Sequence, residues 1–105
     1  MKKNLQRKIN QSPNDPGVYQ FFNFNNDIIY IGKAKNIRNR IKTYFQNSNK
    51  QSSKNIMMVK NIKDLDWIVV RNEVEALMTE ANLIKKHQPR YNVDLRDDKS
   101  YPFIR

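Results

Sequence analysis

The chain has 105 residues, no cysteine and a single histidine, and its 20 lysines and arginines outnumber 10 aspartates and glutamates for a formal charge of +10. These totals exclude a disulfide framework and a thiolate metal site, leave no apolar run near the roughly 20 residues that span a bilayer, and favour an anionic partner, nucleic acid before acidic lipid. The charge is also clustered, with nine basic residues and no acidic one between Ile28 and Lys63.

In chain order, the spacing predicts a short amphipathic helix over 3–11 with Leu5 and Ile9 on one face. Asn14-Asp15-Pro16-Gly17 is a turn signal, 18–24 an aromatic strand, Asn25-Asn26-Asp27 a second turn and 28–31 a returning strand, together a β-hairpin. Asn36 is a candidate N-cap for a helix whose Ile37, Ile41, Tyr44 and Phe45 recur at helical spacing, leaving Arg38, Lys42 and part of Arg40 outward. Residues 46–54 read as a polar, mobile loop and 55–62 as a short helix through Ile56, Val59 and Ile62. Trp67-Ile68-Val69-Val70 is almost wholly apolar, which predicts a strand central in the sheet.

Asn72 with Glu75 three residues on resembles a capping box. It opens a helix running to about His87, with Val74, Leu77, Met78, Ala81 and Ile84 toward the core. Lys85, Lys86 and His87 suit its C-terminal dipole, and Pro89 ends it. Tyr91-Asn92-Val93 then reads as extended, Asp97-Asp98-Lys99-Ser100 as a turn and 101–105 as a last strand. The expected fold is α/β of the α+β type, a small, mainly antiparallel three-stranded sheet flanked by helices. The expected organisation is one domain over 1–105, which stops on a strand-like segment as a piece cut from a longer protein would. The N-terminus lacks the apolar core of a signal peptide, and the absence of cysteine fits a reducing compartment, so the expected location is the cytoplasm.

The candidate chemistry centres on two triplets, Gly17-Val18-Tyr19 and Tyr30-Ile31-Gly32, with Lys33, Lys35, Arg38 and Arg40 directly after the second. Phenols, cations and close backbone approach suit a phosphodiester. Its hydrolysis needs a deprotonated water, charge stabilisation at phosphorus and a neutralised leaving oxygen. Two of the three glutamates, Glu73 and Glu75, are explained by capping, and one histidine is too few for a histidine-based metal site. Any metal would therefore be held by one carboxylate and several waters, which suits Mg²⁺. Glu80, at the edge of the apolar stripe, is the candidate ligand, and a solvated helix glutamate is the simpler alternative. Tyr19 and Tyr44 read equally as core aromatics, Asn92 as a turn cap, His87 as a C-terminal cation and Trp67 as core.

The two triplets resemble the signature of the GIY-YIG nuclease superfamily. The resemblance extends in order through Tyr30-Ile31-Gly32-Lys33-Ala34-Lys35-Asn36-Ile37-Arg38-Asn39-Arg40, Glu80-Ala81-Asn82-Leu83-Ile84-Lys85, Pro89-Arg90-Tyr91-Asn92 and Leu95-Arg96-Asp97-Asp98-Lys99-Ser100-Tyr101-Pro102 to the UvrC branch of that superfamily. It implies a Mg²⁺- or Mn²⁺-dependent endonuclease domain of nucleotide-excision repair, cutting damaged double-stranded DNA on the 3′ side of a lesion. In it, Tyr30 resembles the general base or water-positioning phenol, with Lys33 placed to lower its pKa. Arg40 resembles the arginine that stabilises the phosphoryl charge, and Glu80 the lone metal ligand. Asn92 resembles the asparagine that closes the site, and Tyr19 and Tyr44 the accessory phenols. Gly17 and Gly32 would permit tight backbone. Lys35, Arg38 and Lys42 would track the DNA backbone. UvrB is the implied protein partner of the longer protein; the isolated domain is expected to be a monomer, with no membrane. A stand-alone nuclease of the Cho type and a non-catalytic DNA-binding module are the alternatives.

Overall fold

A computed structural model describes residues 3–46 and 53–92 of the chain. The elements are α1 (Lys3–Gln11), β1 (Gly17–Phe22), β2 (Ile28–Ala34), α2 (Ile37–Phe45), α3 (Ser53–Lys60), β3 (Asp64–Val69) and α4 (Glu73–His87). The strands form one antiparallel sheet in the order β2-β1-β3, so the expected fold class holds. The hairpin forms as its sequence predicts, but β1 ends at Phe22 and Phe24 lies exposed in the turn. There the Asn23 side-chain oxygen accepts from the backbone N–H groups of Asn25 and Asp27, and Asn26 takes the left-handed conformation that asparagine tolerates (φ 66°).

The sheet divides the interior into two layers. Tyr19 and Phe21 project from β1 into a large core with Leu5 and Ile9 of α1, Ile37, Ile41 and Tyr44 of α2, and Met58, Ile62 and Leu65. Val18 and Ile31 project to the other side and meet Val70 and Ala76, with Leu83 and Ile84 of α4 against them. The alternation of β1 and β2 thus sends one set of side chains toward α1–α3 and the other toward α4.

Two expectations about burial fail for related reasons. The apolar run 67–70 lies in β3 and beyond its end, and β3 is an edge strand rather than a central one. The hairpin occupies one side of β1 and β3 the other, leaving Ile68 and Val69 exposed. Asp64 and Asp66 on this edge oppose pairing with another chain. In α4, Val74, Leu77 and Met78 are 67%, 53% and 61% exposed instead of buried, and Ala81 is exposed too. The inward positions are Ala76, Glu80, Leu83 and, as expected, Ile84. These are i, i+4, i+7 and i+8, a proper helical face rotated from the apolar one.

The caps behave as the sequence predicts. The side chains of Asn36 and Asn72 accept from the N–H groups of Asn39 and Glu75, and Glu75 reaches back to the N–H of Arg71. Gln88 closes α4 in the left-handed conformation (φ 47°), just before Pro89. Residues 90–92 are helical rather than extended. The expected loop over 46–54 lies mostly outside the described residues, though Ser53 and Lys54 open α3. The expected turn over Asp97–Ser100 and strand over 101–105 lie wholly outside them.

Candidate active site

The site is built on the first triplet. Tyr19 is buried and pairs in register with Gly32 on β2. A Cβ at Gly32 would overlap the Tyr19 phenol, so the bare glycine is what lets that ring lie across the neighbouring strand. A Cβ at Gly17 would likewise overlap the Ile68 carbonyl. Neither glycine has positive φ; their use here is close approach, not unusual backbone geometry.

Tyr44 comes from α2, one turn after Arg40. Its hydroxyl lies 2.7 Å from that of Tyr19, and it also hydrogen-bonds Tyr30. The Tyr30 ring is 6.2 Å from that of Tyr19 and 6.1 Å from that of Tyr44. The Arg40 guanidinium lies 5.6 Å from the Tyr44 ring centroid, within cation–π range, and hydrogen-bonds Tyr19. Three phenols and one guanidinium therefore form a single network fed by β1, β2 and α2.

Electrostatics fix the protonation states. Burial lifts Tyr19 from the ordinary 10.0 to about 12, against hydrogen bonds from Tyr44 and Arg40. Burial raises Tyr30 above the usual phenol range too; the charges of Tyr44 and Glu80 add to it, and that of Arg40 opposes it. Burial does the same at Tyr44. The hydrogen bond to Tyr19 favours the charged form of Arg40 further. At neutral pH the network is thus three neutral phenols around a fixed cation. The action of Glu80 on Tyr30 also places the α4 carboxylate within electrostatic reach of the second triplet.

Glu80 is half-buried on the inward face of α4. No group of three or more His, Cys, Asp and Glu that could hold a metal occurs among the described residues. A single carboxylate fits a hard cation that keeps most of its water, the habit of Mg²⁺, and does not fit an all-protein cage.

Asn92 has a specific task. Its side-chain oxygen accepts from Ile31 N–H and its amide donates to Ile31 C=O, both at 2.8 Å. The amide imitates a neighbouring strand on the free edge of β2, between Tyr30 and Gly32.

The basic residues divide. Lys33 does not sit beside the Tyr30 phenol as expected. It pairs with Val18, so strand alternation carries it to the opposite face, and it is not among the charges acting on Tyr30. Instead it lines a cleft of about 740 Å³ between α2 and α4, together with Lys35 and Arg40. Lys35 also faces Glu73 across 3.6 Å, with both side chains mostly exposed. Arg38 does not line this cleft and turns to the chain's own backbone instead. Its guanidinium donates to the Asn10 and Ser12 carbonyls, each at 2.7 Å, and so fastens α2 to the end of α1. Lys42 is exposed on α2. Trp67 packs against the larger core, as expected. The cleft's other wall, formed by Val74, Ala76 and Leu77, was assigned no site role from the sequence; the apolar spacing of α4 pointed two of these inward.

Comparison with known proteins agrees with this fold. The family model described as the UvrC-like GIY-YIG domain matches residues 15–93. The UvrABC system protein C of Chlorobium chlorochromatii is 51% identical over 104 residues, covering 99% of this chain and 16% of that protein. That of Clostridium beijerinckii is 54% identical over 93 residues, covering 89% and 15%. The chain thus spans about a sixth of the length of these relatives. The crystal structure of the GIY-YIG N-terminal endonuclease domain of UvrC from Thermotoga maritima, bound to its catalytic divalent cation, magnesium, superimposes with a TM-score of 0.76. It is 45% identical, and the match covers 87% of this chain and 98% of that one. On a matching family model across most of its length and relatives near half identity, this chain belongs to the UvrC-like GIY-YIG domain family.

Proposed function

We propose that this domain is a divalent-metal-dependent DNA endonuclease of nucleotide-excision repair, hydrolysing one phosphodiester on the 3′ side of a lesion within the UvrABC system, with UvrB as protein partner. The observation that carries the reading is the convergence of Tyr30, Arg40 and Glu80 from β2, α2 and α4 on one phenol network.

The chemistry follows from the protonation states. The Tyr30 phenol is neutral at pH 7, so its oxygen orients the attacking water by accepting a hydrogen bond, and the proton released as the O–P bond forms passes to a solvent water. Tyr44 holds that phenol through its own hydroxyl, and Tyr19 anchors Tyr44 and Arg40 together. The fixed guanidinium of Arg40 offsets the charge that grows on the non-bridging oxygens. Glu80 is the residue that would hold Mg²⁺ or Mn²⁺, which supplies Lewis-acid charge for the phosphoryl and leaving oxygens. Asn92 keeps the edge of β2, and with it Tyr30, in place. Lys35, Lys33 and the exposed Lys42 attract the phosphate backbone, so affinity falls steeply with salt. Localisation to the cytoplasm is consistent with this role; no helix among the described residues is long and apolar enough to cross a membrane.

Nicking of supercoiled plasmid tests the reading. The protein is expected to nick with Mg²⁺ and not with chelator, and Glu80→Ala and Tyr30→Phe to lose the activity while still binding DNA. Nicking by Glu80→Ala at the wild-type rate overturns the catalytic assignment. Salt-sensitive binding with no nicking by the wild type favours a DNA-binding module.

A further inference from the structure

The α2–α4 cleft has two unlike walls. Lys33, Lys35 and Arg40 supply positive charge, and across from them stand Val74 and Leu77, 67% and 53% exposed. Exposed branched side chains facing cations call for an occupant with an anionic group and an apolar face side by side. The cleft's 740 Å³ lies within the roughly 300–1,000 Å³ usual for small-ligand sites. It adjoins the candidate active site on two sides. Arg40 belongs to both, and Leu77 is one helical turn before Glu80 on α4.

The faces of the bases in an intact duplex cannot reach such a wall, because they are stacked on one another and only base edges, sugars and phosphates are open to a protein. A nucleotide out of the stack offers both chemistries at once, and apolar side chains are what such bases rest on. The Lys35–Glu73 pair at the mouth is exposed and weak, so Lys35 can exchange Glu73 for a phosphate. Resting on the nuclease reading above, we infer that this cleft is a subsite for one unpaired nucleotide beside the scissile phosphate, with its phosphate on Lys33 and Lys35 and its base against Val74 and Leu77.

The test uses one duplex with a single unpaired nucleotide beside the cleavable bond, and the same duplex with that base removed. Leu77→Ser, with Val74→Ser as a second variant, is expected to slow nicking of the base-bearing substrate about 10-fold more than that of the abasic one, as for the loss of one base contact. An equal penalty on both substrates overturns the subsite. A binding readout separates this from failure of the nuclease reading. With 2-aminopurine as the unpaired base, emission changes when the Glu80→Ala protein binds and not when Glu80→Ala/Leu77→Ser binds. A change of equal size in both overturns the subsite, whether or not any variant cuts DNA.

Discussion

Helices α2 and α4 flank the same strand and use their sequences in opposite ways. In α2 the apolar spacing is obeyed: Ile37, Ile41 and Tyr44 are buried, and Arg40 lies outside that stripe and reaches over the Tyr44 ring. In α4 the apolar spacing is overruled: Val74, Leu77 and Met78 face out, and the inward face carries Glu80 among Ala76, Leu83 and Ile84. Both helices have asparagine caps, so local start signals do not explain the difference. The placement of the functional group does. A residue at the rim of a stripe leaves the packing pattern intact, whereas a carboxylate within the buried face turns the helix away from its most hydrophobic side.

The largest expected effect breaks the symmetry of the two stripes. Ile41→Ala removes a fully buried side chain of α2 and should cost about 2–5 kcal/mol, whereas Met78→Gln on α4 should stay within about 0.5 kcal/mol. Denaturant melts of both variants measure it, and comparable losses would mean that α4 buries its apolar side after all. Next come the two arginines of α2. Arg40→Ala should lower the nicking rate on the order of 10²-fold with little change in melting. Arg38→Ala should cost about 1–2 kcal/mol of stability through the lost carbonyl contacts and leave the rate of the folded enzyme near wild type.

Gly32→Ala should destabilise by about 1–3 kcal/mol, because the methyl drives into the Tyr19 phenol, and Gly32→Ala in a Tyr19→Phe background should recover only part of it. The last effect is silent at neutral pH. A phenol lifted from 10.0 to about 12 in the folded state stabilises the fold fully below pH 10 and loses that contribution as pH rises through about 12. The denaturation midpoint should therefore fall above pH 10, and Tyr19→Phe should flatten the decline.

Much of the site was legible because its signals are local or ordered along the chain. The hairpin and both asparagine caps follow from spacing, whereas Tyr19, Tyr30, Arg40, Tyr44 and Glu80 are candidates through the resemblance, and the structure places the three phenols and Arg40 together. The failures share a different origin. The partners of Arg38, Asn10 and Ser12, lie 28 and 26 residues away, and nothing near Arg38 announces them. An apolar run such as 67–70 has the same composition in a central strand as in an edge strand, so only the neighbours of β1 decide its place. The turn of α4 depends on what Glu80 must face across the sheet edge. The position of Lys33 is legible in the sequence, since strand alternation puts it on the opposite face from Tyr30 and Gly32 despite its nearness along the chain.

Glu80 of α4 acts on Tyr30 across the edge of β2, so a cation held by Glu80 would lie near the second triplet. Substoichiometric Mn²⁺ added to the labelled protein reads this directly, since paramagnetic broadening of amide resonances falls steeply with distance. Broadening is expected to centre on Tyr30, Arg40 and Glu80 and to be abolished in Glu80→Ala. Broadening centred on Asp64 and Asp66, or unchanged in Glu80→Ala, would contradict it.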